Sequence, residues 1–166
     1  MPREFAVSVT SPTSVEEVRQ AFGNETYWHD RFVALGTSTT LTELTVAGGG
    51  TITVKTVQDL RHDGLPSLIA TIYRRDLLVH STEQWTPDGQ GRVLGTIDID
   101  VAGAPGSGRG HAVLQPSGEG SQLDFSGTVE FRVPLIGGRV ESFISDQFTQ
   151  LLPAIQRFTT NWIQGR

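Results

Sequence analysis

A chain of 166 residues and 18.0 kDa is long enough to close one hydrophobic core without covalent staples, and with no cysteine it has neither disulfides nor thiolate-held zinc or iron–sulfur sites. The formal charge of -5 and isoelectric point near 5.3 speak against nucleic acid, whose phosphates call for a basic face. The start, Met-Pro-Arg-Glu-Phe, is no signal peptide, and no segment reaches the roughly 18 apolar residues of a membrane span, so one cytoplasmic domain over residues 1–166 is expected.

Residues 3–10 alternate, with Phe5, Val7 and Val9 on one face, and read as a strand. Ser11-Pro12 then reads as a helix start, with an overlapping capping box from Thr13 to Glu16. Val15, Val18, Ala21 and Phe22 give that helix an apolar side, and it stops near Gly23. Asn24 caps a second short helix carrying Tyr27, Trp28, Phe32 and Leu35, which ends at Gly36. From Thr37 the period becomes two. Residues 37–46 and 51–60 flank Gly48-Gly49-Gly50, the mark of a hairpin. Residues 62–73 interrupt the pattern, and Leu65, Leu68, Ile69 and Ile72 have the spacing of a short amphipathic helix. Strands resume over 76–86 and 92–101, with a turn at Pro87-Asp88-Gly89, then over 109–115 after the turn at 104–108. The clearest strand follows, where Leu123, Phe125, Val129, Phe131 and Val133 alternate with polar residues.

The last stretch, Ile136 to Ile163, is one long helix of about 40 Å. On a helical wheel Ile136, Val140, Ile144, Leu151, Ile155, Phe158 and Trp162 form a stripe, with Phe143, Phe148 and Ala154 along its edges. So one-sided a helix needs a broad apolar surface. Pro153, on the outer side, bends it towards that surface. The layout is α+β: a strand, two short helices, about six further antiparallel strands curling into a sheet, and a long C-terminal helix packed across it. An all-β barrel is the alternative, and the terminal helix counts against it.

This order of elements, with Ser11-Pro12-Thr13-Ser14-Val15-Glu16-Glu17-Val18 opening the helix pair, resembles the START-like superfamily (SRPBCC, helix-grip or polyketide-cyclase-like). Three stretches, 104–110 (APGSGRG), 133–138 (VPLIGG) and 154–160 (AIQRFTT), resemble an actinobacterial branch of it whose function is unknown. The resemblance spans almost the whole chain. It implies a hydrophobic cavity between curled sheet and terminal helix, and architecture shared by lipid carriers, aromatase/cyclases, dioxygenase subunits and chaperone activators. It carries over no catalytic residue.

Chemistry is sought where polar residues fall on apolar faces, because an unpartnered buried polar group costs about 1–3 kcal/mol. Gln147 falls within the terminal stripe, Glu83 shares a strand face with Leu77, Val79 and Trp85, and Thr56 and Gln58 share one with Ile52 and Val54. With Trp85, Ile97, Phe125, Phe143 and Leu151, these are the expected ligand-binding residues: an apolar lining with a few placed polar groups. For each polar residue the competing reading is a core group satisfied by a neighbour. Glu83 alone could serve as an acid or base, since burial raises a carboxyl pKa. His29, His62, His80 and His111 are scattered without metal spacing, and His80 and His111 fall on solvent faces. Asp59, Arg61, His62 and Asp63 read as a solvated turn, and no Gly-x-Ser-x-Gly elbow is present. Gly106-x-Gly108-x-Gly110 joins two strands and so fails the context of a phosphate loop. Gly137-Gly138 is read as close packing on the sheet, and Tyr27 and Trp28 as helix core.

No cofactor or metal is called for. The expected partner is a hydrophobic small molecule, such as a lipid, isoprenoid or polyketide. A cyclase- or dehydratase-like enzyme using Glu83, and a chaperone-activator-like module docking a protein through residues 65–73, are the alternatives. Residues 65–73 fit a lid over a cavity mouth and a plain satellite of the core equally well.

Overall fold

In a computed structural model, which describes residues 2–60 and 77–165, seven strands form one antiparallel sheet. They are β1 (Arg3–Ser11), β2 (Thr39–Val46), β3 (Ile52–Asp59), β4 (Leu78–Pro87), β5 (Val93–Ala102), β6 (Gly106–Ser117) and β7 (Gly120–Phe131). The helices among the described residues are α1 (Val15–Phe22), α2 (Glu25–Ala34) and α3 (Gly137–Gln164). The sheet order is β1-β7-β6-β5-β4-β3-β2, so the two short helices carry the chain from one edge strand to the other. The expected α+β helix-grip layout is the observed one. The helix expected within 62–73, and with it the lid or docking role given to residues 65–73, falls outside the described residues.

Local signals account for most boundaries. Asn24 caps α2 by accepting the Thr26 amide at 2.9 Å, as expected. The same helix ends with Gly36 at φ 66°, where the Gly36 amide bonds Val33 O and the Thr37 amide bonds Phe32 O, both at 3.1 Å. Glycine enters this left-handed turn without a Cβ clash. The expected start of α1 needs correcting. Its cap is Ser14, which forms a reciprocal capping box with Glu17, and Ser11 belongs to β1. The Ser11 hydroxyl is within 2.6 Å of both the Thr13 and Thr160 hydroxyls, so tertiary contact with α3 claims it. Strand β6 also begins earlier than the sequence reading, at Gly106, because Gly106 to Gly108 pair with Phe131 to Val129.

Strand register sets two rows across the concave face. One runs Phe5, Gly127, Gly110, Ile97, Glu83, Val54, Leu44, and the next Val7, Phe125, Ala112, Gly95, Trp85, Ile52, Val46. The second row explains Gly95. A Cβ there would lie 2.5 Å from the Trp85 ring, so the indole lies flat only because this position is bare. Gly95→Ala is expected to cost about 2 kcal/mol by overpacking. Urea unfolding measures it, and a cost below about 0.5 kcal/mol would mean that the ring is free to move aside.

Helix α3 runs along β1 and β7 and meets α1 and α2. Gly137 is buried against the Phe131 carbonyl, as its reading as a close-packing position requires, whereas Gly138 is exposed with open space around it, so that reading fails for the second glycine. The rotation of the helix differs from the expected one. Its buried residues are Gly137, Val140, Glu141, Ser145, Gln156 and Thr159; Val140 belongs to the apolar stripe, but at 100° per residue the set as a whole is centred roughly a quarter turn from it. The reason is polar. Glu141 accepts the Phe131 amide at 2.9 Å, and the Thr159 hydroxyl sits 2.6 Å from the Tyr27 hydroxyl. Anchors of this kind place a partly polar line against the sheet. The apolar stripe turns sideways, over α2 in its last turns, where Phe158 and Trp162 meet the Tyr27 ring.

Candidate functional site

The concave face of the sheet brings together most of the residues singled out in the sequence. Trp85 on β4, Ile97 on β5 and Phe125 on β7 are buried there. Thr56 pairs with Ser81, and Val54 with Glu83, so Thr56, Gln58, Ser81 and Glu83 share one face and stay partly accessible. Three helical residues do not join them as expected. Gln147 is exposed, and Phe143 and Leu151 are 41% and 37% exposed, because α3 is turned by its polar anchors. Gln147 therefore does not face the sheet.

Glu83 is the chemically distinctive member. Its carboxylate accepts the Trp85 indole N–H at 3.1 Å. Desolvation raises its pKa above the ordinary 4.5, a rise that the Arg31 charge and the Trp85 bond reduce without cancelling. Arg31 is absent from the residues singled out in the sequence. It projects from the last turn of α2, with its guanidinium 4.8 Å over the Trp28 ring. Tyr27 is fully buried, and burial pushes its phenol pKa upward. Thr159 donates to the Ile155 carbonyl at 2.8 Å, so the Tyr27 hydroxyl donates to Thr159. Only spacing from Trp28 could have flagged Arg31, an i, i+3 pair on one helix face.

A raised Glu83 pKa makes the folded chain hold a proton to higher pH than the unfolded chain. The resulting stability is complete below about 4.5 and is lost as pH rises towards the folded value. Glu83→Gln removes that slope. Urea unfolding from pH 4.5 to 8 should show the variant gaining on the wild type as pH rises; a wild type that gains instead would mean Glu83 is stabilised as a carboxylate.

The outer face of the sheet is polar. Rows such as Asp98, Arg109 and Thr128 cross it, with Arg109 bonding Asp98 at 2.9 Å. His80 and His111 are exposed there, as expected. Two open depressions of about 540 and 630 Å³ lie on this side, sharing Arg109 and Thr128. Both are remote from Glu83, and their ion pair is largely solvated and so weak. Among the described residues no cluster of three His, Asp or Glu side chains is placed to hold a metal, and no helix is long and apolar enough to cross a membrane.

Comparison with known proteins fits this architecture. The model of a protein family of unknown function, DUF2505, matches residues 6–163. The chain belongs to the DUF2505 family. A relative, the uncharacterised protein Rv0481c of Mycobacterium tuberculosis, is 38% identical over 170 residues and covers 98% of both chains. Among solved structures this DUF2505 chain is similar to TTHA0849 from Thermus thermophilus, with TM-score 0.60, 14% identity and 98% of each chain covered. It is also similar to a START superfamily protein from Mycobacterium smegmatis, with TM-score 0.57, 9% identity, and 98% and 97% of the two chains covered. The DUF2505 fold is START-like.

Proposed function

We propose that this protein is a cytoplasmic carrier or sensor of a hydrophobic small molecule, of lipid, isoprenoid or polyketide type, held between the concave sheet and α3. One observation carries the reading: among the described residues the buried apolar side chains form two clusters. A large cluster around Trp28, Trp85, Val54 and Phe125 fills the end under α1 and α2, and a small one, of Leu77, Phe131 and Val140, lies at the other. Between the clusters lie Thr56, Gln58, Val79, Ser81 and Ile99, all partly accessible.

The experiment is extraction of the purified full-length chain with organic solvent and mass spectrometry of the extract, with titration by a fluorescent lipid. Saturable binding of an apolar probe, lost on substituting Ile99→Trp to fill the proposed space, is expected. Absence of any apolar binding overturns the reading. A second reading, a cyclase- or dehydratase-like enzyme, is favoured only by Glu83, whose raised pKa suits an acid or base. It no longer includes Gln147 as a carbonyl holder.

A further inference from the structure

Where the end of β1 meets the start of β7 and the last turns of α3, four polar side chains are buried. Ser11, Thr13, Ser121 and Gln156 are none of them more than 7% exposed. Two are unsatisfied: neither the Ser121 hydroxyl nor Gln156 Nε2 has a hydrogen-bond partner among the described residues, which is rare for enclosed polar atoms.

Both flank the same contact. The Ser11 and Thr160 hydroxyls are 2.6 Å apart and join β1 to α3. Gln156 lies one turn before Thr160, and side chains so spaced on a helix are about 5–6 Å apart at Cβ. Ser121 is the register partner of Ser11 on the same concave face, where such pairs are about 4.5–5.5 Å apart at Cβ. Ser11 itself cannot serve Ser121. A hydroxyl has one donor and two acceptor positions, and those of Ser11 are committed to the Thr13 amide at 3.1 Å and to the Thr13 and Thr160 hydroxyls at 2.6 Å each. One of these two hydroxyls donates to Ser11. The other accepts from it and keeps its own proton to donate.

The cluster thus presents two donors, the Gln156 N–H and that hydroxyl proton, beside an acceptor, Ser121 Oγ. It contains no charged side chain, and an ion buried without a counter-charge is far costlier than a neutral molecule. The cluster also stands apart from the proposed ligand space. The row through Thr56, Ser81 and Ile99 reaches β1 at Arg3, about 26 Å along the strand from Ser11.

We propose that Ser121, Gln156 and the Ser11–Thr13–Thr160 hydroxyl chain hold an internal water molecule, which accepts from Gln156 Nε2 and a threonine hydroxyl and donates to Ser121 Oγ. About three hydrogen bonds are the usual complement of a buried water. The water ties the last half of α3 to both β1 and β7.

The test is a crystal structure of the wild-type chain at a resolution that shows ordered solvent, with unfolding equilibria of the wild type and Gln156→Met. A water about 3 Å from both Gln156 Nε2 and Ser121 Oγ is expected. The variant, of similar length but with no donor, should raise the unfolding equilibrium constant about fivefold, the effect of one neutral hydrogen bond. Wild-type crystals in which the two atoms share no water overturn the proposal, and need no variant to fold. So does a Gln156→Met protein as stable as the wild type or more stable, because removing an amide that bonds nothing relieves the interior instead of weakening it.

Discussion

Trp28→Ala is expected to lower the unfolding free energy by about 4 kcal/mol, the cost of deleting a fully enclosed indole from a core that cannot collapse onto the space. Trp28 is 1% exposed and ringed by aromatics, with Tyr27 at 5.3 Å edge-on, Phe22 at 5.8 Å and Phe32 at 6.2 Å between centroids. Its Nε1 donates to the Phe22 carbonyl at 2.7 Å, which ties the end of α1 to the start of α2. Trp28→Phe keeps much of the volume but strands that carbonyl, and should cost about 2 kcal/mol. Urea unfolding followed by far-ultraviolet circular dichroism gives both values. A loss under about 1 kcal/mol for the alanine variant would place the centre of the core elsewhere. The alanine variant also removes the platform under Arg31.

Glu141→Ala should cost about 3 kcal/mol. The residue is 2% exposed at the start of α3, and its Oε2 accepts the Phe131 amide at 2.9 Å. Removing the side chain breaks this buried hydrogen bond where the last strand hands over to the helix, and opens a void beside Val140 and Phe131. Glu141→Gln still offers an oxygen to Phe131 and should lose about 1 kcal/mol. The same unfolding measurement separates the two. Equal losses would show that charge, and not the hydrogen bond, is what position 141 contributes. Because this bond helps fix the rotation of α3, the alanine variant should also expose more apolar surface, read as increased binding of a solvatochromic dye.

The strand faces were legible from alternation alone. Glu83, Trp85, Thr56 and Gln58 lie on the concave face because side chains on a strand alternate with a period of two, and pairing preserves that parity across the sheet. The element order and the caps at Asn24 and Gly36 were equally readable, since they depend on a few neighbouring residues. The cap of α1 was misplaced by three residues, because Ser11 and Ser14 carry the same local signal and only Thr160, far along the chain, takes Ser11 for itself.

The rotation of α3 and the membership of Arg31 in the site belong to tertiary structure. A helical wheel reports which residues are apolar, and an apolar stripe can be covered by a sheet or by neighbouring helices. Glu141 and Thr159 settled the choice through partners on β7 and α2, with buried hydrogen bonds that a rotated helix would leave broken at about 1–3 kcal/mol each. Gln147, Phe143 and Leu151 were turned away from the sheet as a result. The Arg31 charge acts on Glu83 only through the tertiary fold, since the two lie far apart in the chain and no sequence period relates them. Periodicity thus determined which face of each strand is apolar, while long-range polar pairing decided which face of the helix is buried.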